Sequence, residues 1–217
     1  MRCLLWIGPT TARNKPTSPD ESFAAQARSL ERSYLQSEDP MVQSGFSGGR
    51  KRWVAERSPI VNAIHRDGDF LDVGCANGLL AEDVVTWAGE HGFALTPHGI
   101  DLGASLVDLA RQRLPDHRQN FHMADAWGWD PKRQWTFVYS LLDLSPQELW
   151  CDWLYRLSTW VEPEGRLIIG SYGADSRGVQ PTDVANVMEN CGLQPLDFSH
   201  GGDPLMARFA WSRAEPP

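Results

Sequence analysis

The sequence predicts an α/β fold in which a seven-stranded, doubly wound sheet is covered by helices on both faces. Two observations carry this. From Phe70 onward, short apolar segments with strand character alternate with segments of helical periodicity, the pattern of parallel strands joined by helical crossovers. At the end of the chain two strand segments flank Gly201-Gly202-Asp203-Pro204, a turn short enough to make the closing pair antiparallel.

The elements follow in order. Residues 1–17 hold Pro9, Pro16 and a polar run, and read as a flexible leader. Ser18-Pro19-Asp20-Glu21 is a capping box with Pro at the first helical position, opening a helix to about Gln36 with Phe23, Ala27, Leu30 and Tyr34 on one face. Gly45-Phe46-Ser47-Gly48-Gly49 reads as a flexible loop. Lys51 to His65 reads as helical, with Ser58-Pro59 a kink or a new start. Phe70 to Val73, Phe93 to Ile100, Asn120 to Met123, Trp135 to Ser140 and Gly165 to Ser171 read as the first five strands. Helices are expected over Gly78 to His91, Ala104 to Leu114, Ser145 to Trp160 and Pro181 to Cys191. Leu193 to Ser199 and Leu205 to Trp211 are the last two strands. Ser145-Pro146-Gln147-Glu148 is a second capping box. Trp150, Trp153, Leu157 and Trp160 recur at helical spacing, as a core stripe or a dimer surface.

Composition bounds the function. The 217 residues suit one domain. With 28 acidic and 20 basic side chains the formal charge is −8, which opposes binding of a long polyanion and makes nucleic acid an unlikely partner. No run approaches the roughly 18 apolar residues of a membrane span. Cys3, Cys75, Cys151 and Cys191 lie far apart, so neither a zinc site nor a disulfide framework is indicated, and reduced thiols in a cytoplasmic protein are expected. The six His show no metal-ligand spacing, and no metal is expected.

The chemistry concentrates in Asp72-Val73-Gly74-Cys75-Ala76-Asn77-Gly78, a strand end, a glycine loop and a helix start. Small residues admit a ligand close to the backbone, and helix-start N–H groups favour a negative group. Ala76 stands where a dinucleotide fingerprint has its second Gly, and Asp72 would repel a pyrophosphate but attract an ammonium. The loop therefore suits a zwitterionic amino-acid head better than a dinucleotide.

This segment resembles the first motif of the class I S-adenosylmethionine-dependent methyltransferases, and the resemblance continues in chain order over roughly residues 50 to 212. Gly99-Ile100-Asp101-Leu102 is similar to the second motif, whose acid binds the ribose hydroxyls. Met123-Ala124-Asp125-Ala126-Trp127 is similar to the third, whose acid meets the adenine amino group. Phe137 to Asp143, with Ser140 and Leu141, is similar to the fourth, at the active-site end of strand 4. Val161 to Gly170 is similar to the turn and strand that follow.

The resemblance implies a Rossmann-like sheet with its last strand antiparallel. It also implies S-adenosylmethionine as cofactor and a catalytic domain over 67–217 behind an N-terminal helical lid over 18–66. In that lid Gly45, Gly48 and Gly49 would hinge, and Phe46 or Tyr34 would line the pocket.

Arg52, beside Trp53, reads either as a partner for the cofactor's carboxylate or as an i,i+4 pair with Glu56. Asp125 reads as an adenine contact or a helix cap, and Trp127 as an adenine stack or core. Asp143 reads as the catalytic proton acceptor or a structural carboxylate. Tyr139 points either into the pocket or into the sheet. The expected activity is methyl transfer to an oxygen or nitrogen of a small molecule by a monomer or homodimer. The alternatives are an RNA or ribosome methyltransferase, with basic faces at 50–57 and 111–118, and a non-catalytic cofactor-binding regulator.

Overall fold

The structure is a computed structural model, and it describes residue 29, residues 31–174 and residues 178–214. The leader and most of the expected first helix, with its capping box, lie outside the described residues. Within them, residues 31–34 are helical.

Seven strands form one sheet: β1 (Gly68–Val73), β2 (Leu95–Asp101), β3 (Phe121–Met123), β4 (Trp135–Leu141), β5 (Val161–Tyr172), β6 (Pro195–Gly201) and β7 (Ala207–Arg213). Their order is β3-β2-β1-β4-β5-β7-β6. The first five run parallel, and β7 lies antiparallel between β5 and β6. The α-helices that lie wholly within the described residues are α1 (Gly49–Arg57), α2 (Leu79–Glu90), α3 (Ala104–Arg113), α4 (Trp150–Ser158) and α5 (Val184–Asn190). The expected sheet, strand count and antiparallel ending are all present.

Side chains alternate across β4. Phe137 and Tyr139 pack with Trp53, Ile60 and Phe70 under α1 and α2, whereas Val138 packs with Trp153, Leu157 and Met188 under α4 and α5. The tryptophan stripe is core: Trp153, Leu157 and Trp160 are buried, and Trp127, Trp129 and Trp135 join them through ring contacts of 5.1–5.6 Å.

Three local expectations are corrected. Ser145 does not cap a helix: the chain makes a 3-10 turn at Gln147–Leu149, α4 starts at Trp150, and the Ser145 hydroxyl bonds the Pro146 carbonyl. Pro146 is extended and stands just before the 3-10 turn at Gln147–Leu149 rather than opening the helix. Second, Cys151 and Cys191 form a disulfide that ties the start of α4 to the end of α5, so the expectation of four reduced thiols fails. Helix packing brings together two cysteines that are 40 residues apart, which spacing alone did not disclose. Among the described residues Cys75 is the free cysteine, and it is buried. Third, the loop before α1 is built rather than loose. Val42–Ser44 form a 3-10 turn closed by Gly45 at φ 74°, and a Cβ on Gly45 would fall 2.6 Å from the Tyr34 hydroxyl. Only glycine fits there, for conformation and for space.

Pro59 resolves as a new start, a 3-10 turn over Ser58–Ala63 after α1 ends. No helix among the described residues is long and apolar enough to cross a membrane.

One buried carboxylate anchors the segment before the sheet. Asp83 of α2 accepts two bonds from Arg50 (2.5 and 2.6 Å) and one from the Trp53 indole (2.7 Å). Asp83→Ala leaves the buried indole N–H unpaired, while half-exposed Arg50 can turn to water. The expected cost is about 2 kcal/mol, read as a lower urea midpoint at unchanged m-value. A loss within experimental error would show that α1 is held by packing alone.

Candidate functional site

Crossovers leave β1 and β4 in opposite directions, so a crevice opens beyond their carboxyl ends, where open α/β sheets bind ligands. A cavity of about 580 Å³ lies there. Its floor is the β1 end and loop (Asp72 to Ala76), with Tyr139, Leu141 and Asp143 from the β4 end and Tyr172 from the β5 end. Its roof is the segment before the sheet: Tyr34, Ser44 to Gly48, Arg52, Trp53, Glu56 and Arg57.

The loop after β1 is left-handed three times, at Gly74 (φ 86°), Ala76 (φ 45°) and Gly78 (φ 74°). Ala76 carries a Cβ in a region that L-residues avoid, a strain of order 1 kcal/mol. Asp101 holds it there. Its carboxylate accepts from the Ala76 N–H (2.9 Å) and from the Gly103 N–H (2.8 Å), joining the loop to the end of β2. Gly78 is pressed onto α3, where a Cβ would meet the Ala110 methyl at 2.9 Å.

Asp72 is 2% exposed, faces the cavity, and has no hydrogen-bond partner among the described residues. Burial, and then the charge of Asp101, push its carboxyl up to about 8. Asp101 is also pushed up by burial, against the pull of its two backbone donors. Asp143 is exposed to the cavity that it lines, and desolvation by the surrounding protein pushes its carboxyl up as well. Tyr34 lies within reach of both Asp143 and Asp101, and burial with those two charges raises its phenol.

The structure brings Arg52, Trp53, Asp72, Gly74, Cys75, Ala76, Leu141 and Asp143 together at the cavity. Arg52 pairs with Glu56, the i,i+4 arrangement, while still lining the cavity. The Cys75 thiol packs in a small core with Val107 and Phe121, and burial raises it far above its ordinary range.

The other expected contacts lie elsewhere. Asn77 is fully buried and staples the roof. Its amide donates to the Pro40 carbonyl (2.9 Å) and Gln43 Oε1 (3.1 Å), and its Oδ1 accepts from the Ser44 hydroxyl (2.6 Å). Leu102 is 41% exposed. Asp125 is exposed and accepts from the Trp127 N–H (3.0 Å), which is a capping turn. Trp127 is core, stacked at 5.1 Å on Trp153, and Ala126 packs at the edge of the same cluster. Ser140 is fully buried, its hydroxyl bonded to the Leu141 carbonyl.

Sequence reasoning missed Glu56, Arg57 and Tyr172. Glu56 and Arg57 sit beside the noticed Arg52, and their burial (2% and 6% exposed) was the signal that periodicity could not supply. The Tyr139 alternative resolves toward the cavity: its hydroxyl meets the Tyr172 hydroxyl at 3.1 Å. Among the described residues no cluster of His, Cys, Asp and Glu could hold a metal.

Comparison with solved structures gives close agreement in fold at low identity. A 1,6-didemethyltoxoflavin-N1-methyltransferase from Burkholderia thailandensis, solved with 1,6-didemethyltoxoflavin and S-adenosylhomocysteine, superposes at TM-score 0.65 and 15% identity, covering 96% of this chain and 99% of that one. The magnesium protoporphyrin IX methyltransferase of Synechocystis PCC 6803, solved with S-adenosylmethionine, gives 0.62 at 12%, covering 91% and 99%. An N-methyltransferase from Bradyrhizobium japonicum WM9, solved with S-adenosylhomocysteine, gives 0.59 at 14%, covering 88% and 98%. No family model matches the chain, and no curated protein matches it. The fold is that of the S-adenosylmethionine-dependent methyltransferases.

The raised Asp72 carboxyl makes a signed prediction about stability. An unfolded Asp titrates near 3.9 and the folded one near 8. Between those values the folded state holds the extra proton, so this group's ionisation erodes stability as pH rises from about 4 to about 8. Asp72→Asn removes that cost. Its melting temperature should exceed the parent's at pH 8, and the difference should shrink toward pH 4. A difference that does not change with pH would contradict the assignment.

Proposed function

We propose that this chain is an S-adenosylmethionine-dependent methyltransferase acting on a small-molecule acceptor. The observation that carries the reading is Asp72, a buried carboxyl facing a switch-point cavity with no partner among the described residues. A polar group left so is costly unless a ligand completes it. The group that completes a carboxyl beside a glycine loop is a cation, such as the ammonium of an amino-acid head.

The remaining cofactor contacts are proposals of the same kind. Arg52 would meet the cofactor's carboxylate. Asp101, already fixed by two N–H donors, would accept from the ribose hydroxyls. Asp125, at the end of the short turn after β3, would reach the adenine amino group. Leu102 would cover the ring. Residues 31–57 would act as the lid, and Tyr34 and Phe46 already line the cavity.

S-adenosylmethionine supplies an electrophilic methyl on a sulfonium whose charge disappears on transfer. The protein's part is then placement and exclusion of water. Asp143 is the ionisable group beside the β4 end, and its raised carboxyl is suited to take a proton from an acceptor that arrives protonated. The neighbours of similar fold methylate a toxoflavin precursor and a magnesium porphyrin, both small molecules, which supports the same class here.

Most arginines of the basic faces that the RNA alternative needs are paired, while Lys51 and Arg118 stand exposed. Arg50 is bound to Asp83, and Arg52 and Arg57 to Glu56. Arg111 is bound to Asp108 and the Phe121 carbonyl, and Arg113 to Glu82 and the Asn77 carbonyl. Cations already paired add little to phosphate binding. A cavity of this size also suits a cofactor and a small acceptor.

Calorimetric titration with S-adenosylhomocysteine tests the reading, and Asp101→Ala should weaken that affinity by roughly one to two orders, about 1.5–3 kcal/mol for charged hydrogen bonds. Unchanged affinity in a folded variant would reject the ribose role. Limited proteolysis should show residues 40–57 better protected at saturating cofactor. An unchanged cleavage pattern would reject the lid.

A further inference from the structure

The cavity also holds polar groups that the cofactor reading leaves unused. Arg57 lines it, and its guanidinium carbon lies 4.2 Å from the ring centroids of Phe46, Trp53 and Tyr172. Three rings around one cation fix its rotamer and favour its charge. They supply no hydrogen-bond acceptor. Among the described residues its one polar partner is Glu56, at 3.3 Å, and Glu56 is held more closely by Arg52. A guanidinium carries five N–H donors, so most of those on this buried side chain are unspent.

Next to it the Tyr139 and Tyr172 hydroxyls share one hydrogen bond at 3.1 Å. Whichever donates, one O–H proton is left without a partner among the described residues. Both oxygens of Glu56 are engaged. This part of the cavity therefore holds spare donors, from the guanidinium and from one phenol.

The position matters as much as the chemistry. In the sheet order β3-β2-β1-β4-β5, the loop after β1 and Asp101 of β2 lie on one side of β4, and Tyr172 of β5 lies on the other. If the cofactor runs from Asp101 to Asp72, the β4–β5 end holds the acceptor.

We propose that Arg57, with the Tyr139–Tyr172 hydroxyl pair, recognises a carboxylate on the methyl acceptor, so that the substrate is a small organic acid. This rests on the methyltransferase reading above. A carboxylate accepts at both oxygens, so it can take the guanidinium edge bidentately and the spare phenol proton as well. An uncharged amide offers one acceptor oxygen and no negative charge to pair with the guanidinium.

The test uses the full chain, with benzoate and benzamide as probes, read by ligand-observed NMR in the presence of saturating S-adenosylhomocysteine. Benzoate should bind at least tenfold more tightly than benzamide. Tyr172→Phe should reduce that preference severalfold, and Arg57→Met should abolish it. S-adenosylhomocysteine affinity should change less than threefold in both. Arg52→Met should show the reverse pattern, losing S-adenosylhomocysteine affinity and keeping the benzoate preference.

Equal binding of the two probes to the parent protein, or no binding of either, would overturn the proposal. So would a loss of S-adenosylhomocysteine affinity in Arg57→Met that parallels the loss of benzoate, since Arg57 would then be holding the cofactor. Failure of the parent to bind S-adenosylhomocysteine at all would overturn the methyltransferase reading instead. The benzoate–benzamide comparison on the protein alone would then still decide whether the anion site exists.

Discussion

The rest of the site is arranged around an unpaired carboxyl at the end of a central strand. Asp72 lies where β1 runs out between β2 and β4, at 2% exposure. A carboxylate there is expensive, and the folded chain meets the cost by keeping the proton to about pH 8. Asp101, close enough to add to that cost, is committed to holding Ala76 and Gly103 and so fixes the glycine loop beside it. The loop's three left-handed residues need such a clasp, because Ala76 has no intrinsic preference for its conformation. A cation arriving in the cavity would relieve the carboxyl, and the loop already has the shape to receive it.

The roof follows from the same economy of buried polar groups. Asn77 would be an orphaned amide under the segment at residues 40–44, and that segment's Pro40 carbonyl, Gln43 and Ser44 satisfy it. Asp83 would be a second buried charge, and Arg50 and Trp53 satisfy it from α1. Two polar groups on the sheet domain thereby position Phe46, Trp53 and Arg57 over the cavity. The segment before the sheet is fastened at Asn77 and at Asp83, and Gly45 sits between these fasteners at the conformation its turn requires.

The sheet was legible because its signals are local: apolar strands of ordinary length, helices of ordinary spacing, and a loop whose small residues announce a close approach. Asp72, Gly74 and Ala76 were placed at the cavity by that route, and Asp143 by the resemblance of its segment to the fourth motif. Asn77 and Trp127 share the motif segments, but burial and packing give them structural partners. Sequence could not separate the side of the loop that faces the cavity from the side that faces α3 and the roof. Arg57 and Tyr172 were missed because they come from opposite ends of the domain and meet only when β5 is laid beside β4. The sequence holds ten Trp in 217 residues, and five of them, Trp127, Trp129, Trp135, Trp153 and Trp160, form a ring-packed core under α4. The Cys151–Cys191 bond escaped for the same reason as Arg57, since it depends on which helices are neighbours.

The central claim is that a cationic ligand completes Asp72, and proton counting tests it most directly. At pH 7 a carboxyl that titrates near 8 is mostly protonated, and pairing with an ammonium must expel that proton. Calorimetric titration with S-adenosylhomocysteine in two buffers of different ionisation enthalpy should therefore report release of up to about 0.9 proton per ligand bound. The release should be absent in Asp72→Asn. Binding of S-adenosylhomocysteine to the parent protein with no buffer-dependent proton release would contradict the account.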